Sequence, residues 1–186
     1  MQFFRSYILA LALIVGGVLC PAAVEASNLH LIVGADYLNS DIKYNSHKNS
    51  DGLPKDDYKS VVPVIGLSAY GVGLEAFILG SDSIKEDSLE AKLKAYGIAF
   101  FGEANLSDNF SLIASLGLAE YKFTTKTNNI KKTEESNGPR FGIGLQYYLT
   151  RNIAIRGMYH YTLLNSGEND NYDAVSEFSA GLRFIF

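Results

Sequence analysis

After its first two dozen residues the chain has no continuous apolar run of membrane-helix length. Its apolar residues instead fall on alternate positions, the period of a strand, in eight segments of about 10 to 13 residues. The first, about Asn28 to Leu38, sets Leu29, Leu31, Val33, Ala35 and Tyr37 on one face against His30, Gly34 and Asp36. The second and third, about Ser60 to Tyr70 and Gly71 to Gly80, set Val61, Ile65 and Leu67, then Val72, Leu74 and Ile78, against Gly66, Ser68, Gly73 and Glu75. The fourth, about Ala91 to Glu103, groups Tyr96, Ile98 and Phe100. The fifth, about Asn109 to Lys122, groups Phe110, Leu112, Leu116 and Leu118 against Ser111, Ser115 and Gly117.

The sixth, about Arg140 to Leu149, groups Phe141, Ile143, Leu145 and Tyr147 against Arg140, Gly142, Gly144 and Gln146. The seventh, about Asn152 to Leu163, groups Ile153, Ile155, Tyr159 and Tyr161 against Arg156, His160 and Thr162. The eighth, about Val175 to Phe186, groups Phe178, Leu182, Phe184 and Phe186 against Glu177, Ser179, Gly181 and Arg183. Tight connections around Tyr70-Gly71, Asn105 to Asp108 and Thr150 to Asn152 alternate with long polar ones. The long ones are Asn39 to Lys59, Ser81 to Glu90, Phe123 to Pro139 and Asn165 to Ala174. Such alternation predicts an all-β, eight-stranded antiparallel up-and-down barrel.

Residues 1–26 read as a signal peptide. Arg5 supplies a positive start and Tyr7 to Leu19 an apolar core of about 13 residues, short of the ~20 a spanning helix needs. Small side chains ahead of Ser27 place cleavage between Ala26 and Ser27, leaving residues 27–186 as one barrel domain. Cleavage there also removes Cys20, the only cysteine, and with it any disulfide, thiol chemistry or cysteine metal site. Net charge is −4, from 16 Lys+Arg and 20 Asp+Glu, which argues against a nucleic-acid partner.

Alternation alone does not say which face is wet. A soluble barrel turns its apolar face inward and a membrane barrel turns it outward. Two features favour the second. The apolar face carries aromatics near strand ends (Tyr37, Phe110, Tyr147, Tyr159, Phe184, Phe186), where a bilayer interface would lie. The other face carries glycine, serine and balanced charge, with Asp36, Glu75 and Glu177 against Arg140, Arg156 and Arg183. These six and His160 form the predicted polar network of a closed lumen, with His160 expected to pair with a carboxylate.

The chain ends Ser179-Ala180-Gly181-Leu182-Arg183-Phe184-Ile185-Phe186. This octet resembles the terminal sorting signal of bacterial outer-membrane barrels, with Gly181, Phe184 and Phe186 in the marked positions. With the leader and the eight strands, the chain resembles the OmpA/OmpX/opacity-protein superfamily of small outer-membrane barrels. The resemblance implies residence in the bacterial outer membrane and insertion by the barrel-assembly machinery. It also implies contact with outer-membrane lipid and lipopolysaccharide, and a non-enzymatic role as envelope component or loop scaffold. A host or environmental surface ligand on the loops, as in adhesion, belongs to the same expectation. The family girdle's usual tryptophan is missing, since Trp is 0. No cofactor or metal is expected.

Two other classes stay open at this point. One is a narrow solute-binding or transport module, which a continuous water path through the lumen would mark. The other is a lipid-modifying enzyme, which would need His, Ser and a carboxylate together on the lipid-facing side. Gly71-Val72-Gly73-Leu74-Glu75-Ala76 fits a dinucleotide fingerprint by spacing, but that motif must open a helix, and here strand alternation continues through Ile78. His47 reads as a solvated loop residue. Lys126, Lys131 and Lys132 make the stretch from Phe123 to Pro139 a basic loop suited to lipopolysaccharide phosphates or an acidic glycan.

Overall fold

The computed structural model describes residues 29–44, 57–81, 84–86, 89–127, 130–165 and 172–186. The expected signal peptide, its cleavage point at Ala26 and Ser27, and His47 lie outside them. Nine strands follow in chain order: β1 (Leu29–Tyr44), β2 (Asp57–Ala69), β3 (Val72–Gly80), β4 (Ile84–Glu86), β5 (Leu89–Asn105), β6 (Phe110–Thr127), β7 (Ile130–Thr150), β8 (Ile153–Leu163) and β9 (Tyr172–Ile185).

Each of the long strands pairs antiparallel with its neighbours, in the order β3-β2-β1-β9-β8-β7-β6-β5, and the pairing of β3 with β5 closes the ring. The result is an eight-stave barrel. The three-residue β4 pairs with the start of β5 beyond the end of β3. Closure joins the chain ends: Leu31 and Phe186 exchange backbone hydrogen bonds at 3.0 and 2.9 Å. A closed ring leaves no sheet edge in lipid, where an unpaired peptide group is costly.

Three connections gather at one end. Tyr70 and Gly71 make a two-residue hairpin with φ of 54° and 76°, the left-handed pair that matches strand twist. Residues 106–109 and Arg151-Asn152 make the other two. The opposite end carries the long connections, and two of these are shorter than expected. β1 continues to Tyr44, and β6 and β7 continue to Thr127 and from Ile130. Most of the stretch from Phe123 to Pro139 is therefore paired strand, not loop, in register from Phe123↔Glu134 to Thr127↔Ile130. An 18-residue β6 spans about 60 Å, whereas a tilted strand crosses a bilayer in about 9–11 residues. Much of this hairpin stands clear of the lipid.

The outward face shows the change of solvent. In β6 it runs Leu112, Ala114, Leu116, Leu118 and then Glu120, Lys122, Thr124, Lys126; in β5 it runs Phe100, Ile98, Tyr96 and then Lys94, Lys92. The inward face changes in the opposite sense. Towards the loop end it is an apolar cluster that includes Leu38, Val62, Phe77, Leu93, Tyr121, Phe123 and Val175. The barrel is inside-out where lipid surrounds it and has an ordinary dry core where water does. Phe178 is 65% exposed while Arg183 on the same strand is 2% exposed.

Candidate functional site

The alternating parity of each strand sends one polar set into the lumen. Asp36, Arg140, Arg156, His160, Glu177 and Arg183 are buried there, and Glu75 nearly so. Three acids meet three bases one to one. Arg183 donates from Nη1 and Nη2 to the two carboxylate oxygens of Asp36, at 2.6 and 2.8 Å. Arg156 donates from Nη1 to Glu75 Oε1 at 2.6 Å. Arg140 donates from Nε and Nη2 to Glu177 Oε2 at 3.0 and 2.5 Å. Glu75 also lies 3.6 Å from Arg183 Nε, so Asp36, Arg183, Glu75 and Arg156 form one chain of alternating charge. Mutual neutralisation is what lets such groups sit away from water.

Glycine makes the room. Directly across the ladder from Arg183 stands Gly34, from Glu75 stands Gly66, from His160 stands Gly142, and from Asp36 stands Gly181. A Cβ at Gly34 would lie 2.7 Å from Arg183 Cδ, and one at Gly66 2.7 Å from Glu75 Cγ. Two aromatic rings of the lumen are placed in the same way, Phe101 across from Gly73 and Phe77 across from Gly97. In this layer each of these long inward side chains has a bare backbone beside it.

Some members of the layer are missing from the sequence-based network. Gln146 accepts from Arg156 Nε at 2.7 Å. Phe77 and Phe101 lie under the Arg140 and Arg156 guanidinium groups, 4.2 and 5.1 Å from ring centroid to Cζ. Tyr148 donates to Glu103 at 2.6 Å nearer the turns. Gln146 was visible on the polar face of its segment; the two phenylalanines become visible only once inward parity, not polarity, is followed. The expected pairing of His160 is corrected. It neighbours Glu177 in register, yet among the described residues it hydrogen-bonds no carboxylate, and its Nδ1 has no partner. Its ring occupies the space left by Gly142 instead.

The void among these side chains is about 30 Å³, the volume of a single water in the liquid. Below it, Ile32, Phe101, Ile113 and Met158 form a small apolar cluster with Ile185 packed against it. Beyond that cluster an open cavity of about 650 Å³ faces the turn end, lined by residues including His30, Glu103, Asn105, Asp108 and Tyr148. Gly71 to Ala76 continues from the hairpin straight into β3, so the dinucleotide motif's helix is replaced by strand. Among the described residues no group of three or more His, Cys, Asp or Glu could hold a metal ion.

Of the terminal octet, Phe184 and Phe186 face outward, and Gly181 faces the lumen between Asp36 and Arg156. Gly181 thus has a steric task in the lumen whatever reads it during assembly.

The closed eight-stave barrel with its apolar exterior is matched by known proteins. The family model "outer membrane protein beta-barrel domain" matches residues 8–186. The chain belongs to that family. Its fold is similar to that of Ail, the attachment invasion locus protein of Yersinia pestis, with 16% identity over 86% of this chain and 99% of that one and a TM-score of 0.64. Neisserial surface protein A is similar at 16% identity, 85% and 97% coverage and a TM-score of 0.63. OprG of Pseudomonas aeruginosa is similar at 15% identity, 86% and 96% coverage and a TM-score of 0.60. A search of curated proteins found no match. The protein is thus a small barrel of the bacterial outer membrane, as its alternation and aromatic-edged apolar face predict.

Proposed function

We propose that this outer-membrane barrel is a non-enzymatic, non-conducting scaffold that holds its loop-end hairpins at the cell surface for contact with host or environment. The observation that carries this reading is the lumen. Three one-to-one ion pairs fill its middle and leave about 30 Å³. Eight strands enclose an interior that side chains can fill, whereas aqueous channels belong to barrels of about 16 strands. His160 points into this lumen rather than at lipid, which weighs against lipid-modifying chemistry. The long β6–β7 hairpin supports the surface role, and a relative, Ail, has been solved with the heparin analogue sucrose octasulfate. In the same reading the leader ends at Ala26, and the octet ending at Phe186 is read by the assembly machinery.

Planar-bilayer recording tests the closed lumen. The purified protein should show no steady conductance. A large, stable, ion-passing conductance would reject the scaffold reading in favour of a transport module.

A further inference from the structure

We propose that the cavity at the turn end of the barrel binds a primary ammonium group, with the Glu103 carboxylate as its counter-ion. Short turns mark the periplasmic end of an outer-membrane barrel. The ligand is therefore a periplasmic amine, carried on a peptide side chain or on a free polyamine. The cavity, about 650 Å³, lies in the size range of small-molecule sites, and the mouth of a barrel is one of the places where such sites recur. It lies on the turn side of the ion-pair layer, so the site does not rest on the scaffold reading.

Glu103 is the odd acid of the lumen. Asp36, Glu75 and Glu177 each meet an arginine. Glu103 points inward from β5 with the same parity as the buried Phe101. Among the described residues it meets no lysine or arginine, and its side-chain partner is the Tyr148 hydroxyl, which donates to Oε1 at 2.6 Å. Asp108 adds a second negative charge to the lining, and Arg151, which also lines the cavity, pairs with neither carboxylate. Two carboxylates against one guanidinium leave the lining net negative, and a half-enclosed wall concentrates that field on a cation.

The geometry also selects among cations. Tyr148 leans from β7 across β6 to hold Glu103, so the carboxylate is oriented before any ligand arrives. Ile32 and Ile185, at the inner end of the cavity, offer apolar surface to the alkyl chain that carries the ammonium. A metal ion is a poor fit. Hard cations take about six or more oxygens, and among the described residues no group of three or more His, Cys, Asp or Glu could hold one. A guanidinium favours both oxygens of one carboxylate, and Tyr148 already engages one of them. An ammonium is a point charge with three donors and needs only the other.

The test titrates the whole barrel in micelles of an uncharged detergent and follows its backbone amides by NMR. The probes are cadaverine, its diacetylated form, its bis-guanidino form and the tripeptide glycyl-lysyl-glycine. Cadaverine should bind saturably, shifting the amides around Glu103 and Tyr148, and diacetylcadaverine should not. Glu103→Gln keeps an acceptor for the Tyr148 hydroxyl and should weaken cadaverine by about tenfold to a hundredfold, the loss expected for a charged hydrogen-bond partner. Glu120→Gln, on the outward face of β6, should leave binding unchanged. Tyr148 is a positioning residue. Tyr148→Phe frees the second Glu103 oxygen and should narrow the preference for cadaverine over its bis-guanidino form, a change that mere loosening of the wall would not bring. Tighter binding of the tripeptide than of cadaverine assigns the site to a peptide, and the reverse assigns it to a free polyamine. Equal binding of cadaverine and diacetylcadaverine, unchanged binding in Glu103→Gln, or no saturable binding of any amine would overturn the site. No arm reads conductance, so failure here leaves the closed lumen standing, and a conducting barrel would leave this site standing.

Discussion

Arg183 holds both oxygens of Asp36 in a lumen where both side chains are buried. Removing one partner strands the other, which costs about 3–5 kcal/mol for a buried pair. Arg183→Met should therefore destabilise the barrel by that order, while Asp36→Asn/Arg183→Met should cost less than Arg183→Met alone. Urea titration of barrels folded into vesicles measures the coupling. The glycines allow a sharper contrast. A Cβ at Gly97 would meet the Phe77 ring at 2.6 Å and the Leu118 carbonyl oxygen at 2.5 Å, neither of which can swing away, whereas one at Gly80 meets nothing within 4 Å. Gly97→Ala should cost about 1–3 kcal/mol and Gly80→Ala no more than about 0.5 kcal/mol. Equal effects would mean that the lumen is looser than its contacts imply.

At the scale of strands, β6 carries two solvents on one face. Leu116 and Thr124 share a parity, but Leu116 faces lipid and Thr124 stands three rows past the last leucine. Leu116→Arg should cost about 2–4 kcal/mol, the midplane penalty for a cation in lipid, and Thr124→Arg close to nothing, as near or beyond the interface. Folding titrations in vesicles distinguish them, and a similar cost at both sites would place the membrane boundary higher than Leu118. The same boundary explains what the sequence could and could not tell. From Leu112 to Leu118 the outward residues are apolar and the inward ones, Ile113 apart, are small, so the strand is legible by its apolar stripe. From Glu120 onward the stripe moves to the inward residues Tyr121 and Phe123 without any break in the backbone ladder. A reading keyed to one apolar face ends the strand there, and turned the β6–β7 hairpin into a loop. Parity, counted on from Gly117 through Ala119, would have carried it to Thr127. The charges of the lumen were legible because lone charges inside a stripe of glycine and serine have few places to go. Their pairing partners were not, since Arg156 and Glu75 are 81 residues apart and meet across the barrel.

For the whole molecule, the lumen is blocked in series. The loop-end cluster around Leu93, Tyr121 and Phe123 is one barrier; the ion-pair layer with the small cluster at Phe101 beneath it is another. Ions must cross both, so opening one leaves the other in control of the current. Leu93→Ala/Tyr121→Ala removes two side chains that are fully buried in the first barrier and should leave the barrel non-conducting. Glu75→Ala/Arg156→Ala/Phe101→Ala removes an ion pair together with the ring beneath its guanidinium, keeps the charge balance of the layer, and should also leave it non-conducting. All five substitutions together should give steady ion current in planar bilayers, because the cavity of about 650 Å³ at the turn end then joins a widened path to the loop end. Far-UV circular dichroism of the same samples establishes that each variant is a folded barrel before recording. If either set alone conducts as well as the combination, a single layer makes the seal and the other merely fills space.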